Sequence, residues 1–378
     1  MRPIVCVVGA RPNFMKMAPL LRAMAAHQPP LPAVLVHTGQ HYDQGMSHQL
    51  FADLNLPPPD INLEVGSGTH AVQTAEVMKR FEPVLDDLKP SCVVVVGDVN
   101  STLACTLVAV KKGVPVAHVE AGLRSGDRTM PEEINRVLTD QVADRLYTTE
   151  RTASDHLQRE GVDPTRVCFA GNVMIDSLLE SRARARSAAD TLRSHGVDGA
   201  LLQDPQGWCL VTMHRPSNVD DPGTLSMLLG VLADVSEMLP IVFPMHPRTR
   251  ANIARFGLDG KLDGRRIGVL PPQGYLEMVG LMSAARLVLT DSGGVQEETT
   301  ALGVPCLTMR ENTERPITVE QGTNTMVGRD RVAILAGVRD VLAGRGKNGR
   351  TPELWDGHAA DRIAADMHRW LAAGERGA

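Results

Sequence analysis

Short Val/Ile/Leu-rich runs alternate with longer amphipathic stretches along nearly all 378 residues of this chain. That alternation is the signature of βαβ units and a parallel sheet. It predicts strands near 3–8, 33–38, 93–97, 115–119, 145–149 and 166–170, then a second series near 208–212, 240–245, 267–270, 286–290, 305–309 and 325–328. Two comparable series predict an α/β chain of two doubly wound domains, 1–172 and 173–358, each long enough to bury a core. The boundary falls just before a basic, alanine-rich helix expected over Ser177–Arg186. Its arginines fit a solvated helix face better than a phosphate site. The apolar-periodic segment 359–373, ending near Trp370-Leu371, must dock somewhere, and it is expected to cross back to the first domain.

The net charge of −5 supplies no basic field of the kind that nucleic-acid binding requires, so an anionic ligand would have to be met by local cations. The six cysteines are scattered without a Cys-x-x-Cys pair and read as small core residues in a reducing compartment. No His/Cys or His/Asp set has metal-ligand spacing, so neither a metal nor another cofactor is expected. Met1-Arg2-Pro3 and the short apolar strand after it do not make a signal peptide, and no apolar run approaches the ~20 residues of a membrane helix. A soluble, cytoplasmic protein is expected.

In an open parallel sheet the carboxyl ends of the strands line the ligand crevice. Two apolar strands here end in acids, Val93-Val94-Val95-Val96-Gly97-Asp98 and Val114-Pro115-Val116-Ala117-His118-Val119-Glu120, and Pro131-Glu132-Glu133 follows. Such carboxylates suit proton transfer. Asp98 could equally cap a helix starting near Ser101, and Glu132 and Glu133 could simply favour the helix that Pro131 opens. Glu120 has no comparable structural task. After the first strand, Gly9-Ala10-Arg11-Pro12 leads into a helix bearing Lys16, a start that suits an anion, though both cations also fit ordinary surface charge.

In the second half, Asp291-Ser292-Gly293-Gly294-Val295-Gln296-Glu297-Glu298 follows a strand. The hydroxyl and glycines let backbone amides approach a pyrophosphate, and a carboxylate one turn into the helix can accept ribose hydroxyls. The alternative is a good N-cap with favourable acids. Arg315, after the next strand, is a candidate phosphate partner. His214 and His246 each lie just past a strand, placed for phosphate contact or proton transfer, or for a purely structural role.

Taken in order, Gly9-Ala10-Arg11-Pro12 with Lys16-Met17-Ala18-Pro19, His118-Val119-Glu120-Ala121-Gly122-Leu123-Arg124, Pro131-Glu132-Glu133-Ile134-Asn135-Arg136, Asp291 through Glu298, and Glu314-Arg315-Pro316 resemble the non-hydrolysing UDP-N-acetylglucosamine 2-epimerases. The resemblance implies two Rossmann-like domains facing a cleft, the glycosyltransferase-B type, usually as a homodimer. It implies epimerisation at C2 of a UDP-sugar without nicotinamide, by elimination of UDP to a 2-acetamidoglucal and re-addition. By resemblance Asp98, Glu120, Glu132 and His214 are catalytic. Arg11, Lys16, Ser292, Gly293, Gly294 and Arg315 then meet the phosphates, Glu298 the ribose and Gln273 the uracil, while Gln40 and His41 could contribute to a second, activating site.

Two positions depart from the family pattern. Met278 stands where some relatives carry an aromatic beside the base, and Arg215-Pro216-Ser217-Asn218 replaces an Arg-Arg-Glu that follows the histidine. The first bears on uracil stacking and the second on the choice of sugar. Epimerisation of another UDP-sugar, such as a 2,3-diacetamido uronic acid, a hydrolysing epimerase, a glycosyltransferase on the same fold and a sugar-nucleotide sensor without chemistry are the competing functions.

Overall fold

The computed structural model describes residues 2–39, 51–262 and 266–375; Gln40 and His41 lie outside the described residues. The chain divides into two units, residues 1–180 together with 353–378, and residues 181–352.

Unit 1 is built on a seven-stranded sheet in the order β3-β2-β1-β4-β5-β6-β7. Its strands are β1 Ile4–Val8, β2 Ala33–His37, β3 Ile61–Asn62, β4 Cys92–Val96, β5 Val116–Ala121, β6 Arg145–Thr148 and β7 Val167–Phe169. All pair in parallel. The central strands β1 and β4 are uninterrupted apolar runs buried at every position, as strands covered by helices on both faces must be. Valine dominates them because a β-branched side chain fits the pleat. One face packs Val5, Val7, Val93 and Val95 against Phe81, Ala104 and Val108 from the helices His70–Leu88 and Asn100–Lys111.

The helix Ala359–Glu375 belongs to unit 1, where it packs against the helix Arg11–Ala26. Buried Asp366 fastens it, accepting from Arg145 Nε at 2.8 Å and Tyr147 Oη at 3.0 Å. At its start, the Asp176 carboxylate accepts from Ala359 N at 3.2 Å and Ala360 N at 2.7 Å, satisfying amides that a helix leaves unpaired.

Unit 2 carries a six-stranded parallel sheet, β10-β9-β8-β11-β12-β13. The strands are β8 Cys209–Thr212, β9 Ile241–Pro244, β10 Ile267–Leu270, β11 Leu287–Thr290, β12 Cys306–Thr308 and β13 Asn324–Met326. Its core gathers Val211, Leu225, Leu229, Phe243, Leu289, Ile334 and Val338.

Every strand expected from the sequence is present. The additional strand β3 has only two residues, too few to give a periodic signal. The basic helix differs from expectation: it covers Val173–Arg182, so Arg184 and Arg186 lie beyond its end. Asn172 Oδ1 accepts from Met174 N at 2.9 Å, and that bond starts the helix early. Among the described residues no helix is long and apolar enough to cross a membrane. In each sheet the strand order reverses once, at β1/β4 and at β8/β11, where open α/β sheets form their ligand crevices.

Candidate active site

In unit 1 the reversal point sets the glycine turn after β1 beside Gly97-Asp98 after β4. Asn13 fixes the first turn: its Oδ1 accepts from Gly9 N at 3.1 Å and Ala10 N at 2.9 Å, while its Nδ2 donates to Val96 O at 3.0 Å. Gly97 has φ of +66°, and a Cβ there would stand 2.8 Å from Lys16 Nζ, so any side chain would be both strained and crowded.

Asp98 does not cap the helix that follows it; the capping position is Val99, without a side-chain bond. Its Oδ2 instead accepts from Arg136 Nε at 3.0 Å, and its carbonyl accepts from Asn135 Nδ2 at 2.9 Å. The helix Pro131–Val142 therefore grips both the carboxylate and the backbone of Asp98. Glu132 and Glu133 occupy its first turn with different tasks. Glu133 accepts from Ser125 N and Gly126 N at 3.0 Å each and pairs with Arg136. Burial would push its carboxyl up, but those amides and the guanidinium together hold it below the usual range. Glu132 is half-buried, and among the described residues its side chain makes no hydrogen bond or ion pair. It lies one turn before Asn135 and Arg136, hence on the helix face that holds Asp98.

Glu120 sits in β5 where the register with β6 shifts between Val119 and Ala121. Its φ is +73°, a left-handed conformation that costs a non-glycine residue roughly 1–3 kcal/mol and persists only where surroundings enforce it. The result is a buried carboxylate whose Oε1 lies 2.7 Å from Lys16 Nζ. That oxygen also lies 3.8 Å from where a Cβ on Gly97 would stand, so Glu120 adjoins the Gly97-Asp98 turn. Lys16, expected at a phosphate, pairs with this carboxylate, and Arg11 is exposed at the helix start.

In unit 2, Asp291 after β11 organises the segment after β8. Fully buried, it accepts from His214 N and Arg215 N at 2.9 Å each and from Asn218 Nδ2 at 3.1 Å; His214 Nδ1 lies 3.1 Å away. Burial pushes the Asp291 carboxyl up, yet the His214 ring and these amides prevail and hold it below its ordinary value. His246 lies against the His214 ring, centroids 5.3 Å apart, and its side chain accepts from Arg248 N, capping the helix Pro247–Arg255.

Ser292 stands at the capping position of the helix Gly293–Leu302, but its hydroxyl makes no capping bond. That answers the plain N-cap reading of this motif. Beside Gly293 lies Glu314: a Cβ on Gly293 would be 2.4 Å from its Oε1. Glu314 pairs with Arg310 at 2.8 Å and has Arg215 at 3.8 Å. Burial opposes its ionisation, but Arg310, Arg315 and Arg215 hold its carboxyl far below the usual range. Buried Arg315 pairs with buried Glu297 at 3.1 Å. Glu298 accepts from Tyr275 Oη at 3.0 Å, Gln273 Nε2 donates to Pro271 O at 2.7 Å, and Met278 is half-buried in the helix Tyr275–Ala284.

Sequence reasoning missed Asn13 as the residue that fixes the first glycine turn, and Arg136, Asp291 and Glu314 as partners or neighbours of site residues. Only Asp291 carried a usable signal, since it directly follows a buried strand at the reversal point.

A family model for UDP-N-acetylglucosamine 2-epimerase matches residues 23–368. The UDP-N-acetylglucosamine 2-epimerase of Methanocaldococcus jannaschii is 40% identical over 360 residues, 94% of this chain and 96% of the relative. The UDP-2,3-diacetamido-2,3-dideoxy-D-glucuronate 2-epimerase of Pseudomonas aeruginosa is 43% identical over 342 residues, 90% of this chain and 92% of the relative. The crystal structure of the M. jannaschii enzyme in complex with UDP-GlcNAc and UDP superposes with a TM-score of 0.87 at 38% identity, covering 97% of this chain and 99% of that one. With a family model matching most of its length and relatives 40% and 43% identical over at least 90% of it, the chain belongs to the UDP-N-acetylglucosamine 2-epimerase family, whose members are isomerases.

Proposed function

We propose that the protein interconverts UDP-N-acetylglucosamine and UDP-N-acetylmannosamine by eliminating UDP across C1–C2 to a 2-acetamidoglucal and adding it back at C1 with a proton delivered to the other face of C2. The observation that supports the reading is the buried Glu120 carboxylate, held at φ +73° beside the Gly97-Asp98 turn, with Glu132 one turn before the residues that hold Asp98. A C2 hydrogen is not acidic enough for simple exchange, so leaving-group departure must accompany its removal, and inversion calls for proton transfer on two faces. Carboxylates are suited to both transfers, and as a coupled set they need not keep separate roles.

Departure of UDP places charge on the β-phosphate, which cations and helix-end amides stabilise. Arg11, Lys16, His214, Ser292, Gly293, Gly294 and Arg315 take that part in this reading. Glu298 and Gln273 hold the ribose and uracil, with Met278 beside the base.

A second substrate, a UDP-2,3-diacetamido-2,3-dideoxy-glucuronate, is favoured by the 43% identity to the P. aeruginosa relative. Incubation of each UDP-sugar alone in heavy water tests both. Deuterium at C2 of recovered UDP-N-acetylmannosamine supports the first reading. Exchange only with the uronate selects the second, and stoichiometric free UDP or an unchanged sugar contradicts both.

A further inference from the structure

We infer that Asp140 is a positioning residue for Glu120, a single carboxylate that pins the chain on both sides of the strained position; the inference rests on Glu120 being a proton carrier in the proposed reaction. Asp140 lies in the helix Pro131–Val142 and has no exposed surface. Its Oδ1 is 2.7 Å from His118 Nδ1, two residues before Glu120. Its Oδ2 accepts from Gly122 N at 3.0 Å, two residues after Glu120, and from Arg124 at 2.7 Å. Between those anchors the register shifts and Glu120 takes its φ of +73°.

Two fixed points four residues apart, tied to one carboxylate, over-determine the intervening backbone. A left-handed glutamate would otherwise relax towards the extended strand, swinging its carboxylate away from Lys16. The same tie reaches Asp98. His118 Nε2 donates to Gly97 O at 2.8 Å, so the β4 and β5 ends are joined through the histidine that Asp140 orients. Arg136 and Asn135, one turn earlier on the same helix, hold Asp98 directly. The helix thus sets the separation of two acids it does not itself carry.

Asp140→Asn retains size but replaces one acceptor oxygen with an NH2 group, so it cannot serve Oδ1 and Oδ2 partners together. We expect kcat to fall about 10- to 100-fold, as for a sub-ångström to ångström misplacement of a reacting group, with KM changed less than about threefold. C2 deuterium incorporation should fall in parallel with kcat. In a Glu120→Gln background, where only residual exchange is followed over long incubation, adding Asp140→Asn should change the rate by less than about twofold, because a residue acting through Glu120 has nothing left to position.

Wild-type turnover of Asp140→Asn beside an inactive Glu120→Gln would overturn the inference and leave the proposed function standing. An equal loss from Asp140→Asn in both backgrounds would also overturn it, by showing a general structural effect. Wild-type turnover of Glu120→Gln would sink the underlying reading and the inference with it. Should Asp140→Asn fail to fold, His118→Gln, which cannot hold both Asp140 and the Gly97 carbonyl, carries the same comparison and the same outcomes.

Discussion

Lys16 Nζ and Glu120 Oε1 lie 2.7 Å apart, with side chains 7% and 2% exposed. A buried pair of this kind is weak evidence for stability, since the desolvation of both charges offsets most of their attraction, whereas removing one partner is costly. The pair is better understood as a device that aims a carboxylate at the Gly97-Asp98 turn.

Glu120→Gln and Asp98→Asn should each lose at least ~100-fold in turnover while keeping most of their affinity for UDP. Glu120→Gln leaves Lys16 without its carboxylate, so urea melts should show a loss of roughly 3–5 kcal/mol, while Asp98→Asn, whose partner Arg136 keeps Glu133, should lose less. Calorimetric titration with UDP beside turnover separates chemistry from binding; wild-type rates in both variants would remove their catalytic roles.

In the proposed reading Arg315 meets the UDP phosphates, and in the structure it pairs with Glu297, so truncation confuses the two. Arg315→Lys keeps a positive charge near Glu297 but loses the planar fork that grips phosphate. UDP binding by this variant should weaken about tenfold, about 1.4 kcal/mol, with little change in melting temperature. Unaltered UDP affinity would exclude Arg315 from the phosphate site.

Gly293→Ala sets a methyl group 2.4 Å from Glu314 Oε1. Either Glu314 swings away from Arg310 or the helix start moves, and both disturb the amides proposed for the pyrophosphate. UDP affinity should drop by more than about tenfold. Binding equal to wild type would place the pyrophosphate elsewhere.

Asp176, buried at the start of the C-terminal helix, has its carboxyl pushed up to about 6, first by burial; the Ala360 and Ala359 amides oppose the rise, and Asp361 and Asp356 add to it. A group bound more tightly to its proton when folded contributes stability that is full below about pH 4 and lost as pH rises through about 6, at most about 3 kcal/mol. Asp176→Asn does not titrate. Its stability relative to wild type should therefore rise between pH 4.5 and pH 7.5, measured by urea unfolding. A difference independent of pH would exclude the perturbed carboxyl.

Much of this was legible in the chain. The apolar runs Ile4–Val8 and Cys92–Val96 declare buried parallel strands, and the acids that end β4 and lie in β5 mark the crevice edge because strand polarity fixes which end faces it. Lys16 was also visible, but not its partner: Glu120 is 104 residues away, and no local spacing links them. The same holds for Asp98 and Arg136, and for Asp291 with His214, which are neighbours only because β8 and β11 are.

The sequence by itself determined the two doubly wound sheets and which residues stand at their strand ends, because hydrophobic periodicity and turn residues act over a few positions of chain. Tertiary structure alone decided the division of labour among similar side chains. Of the adjacent acids Glu132 and Glu133, the second is consumed by Ser125, Gly126 and Arg136, while the side chain of the first makes no hydrogen bond or ion pair among the described residues. That choice depends on which donors the folded backbone brings within hydrogen-bond distance, and distance in space is not a property of position along the chain.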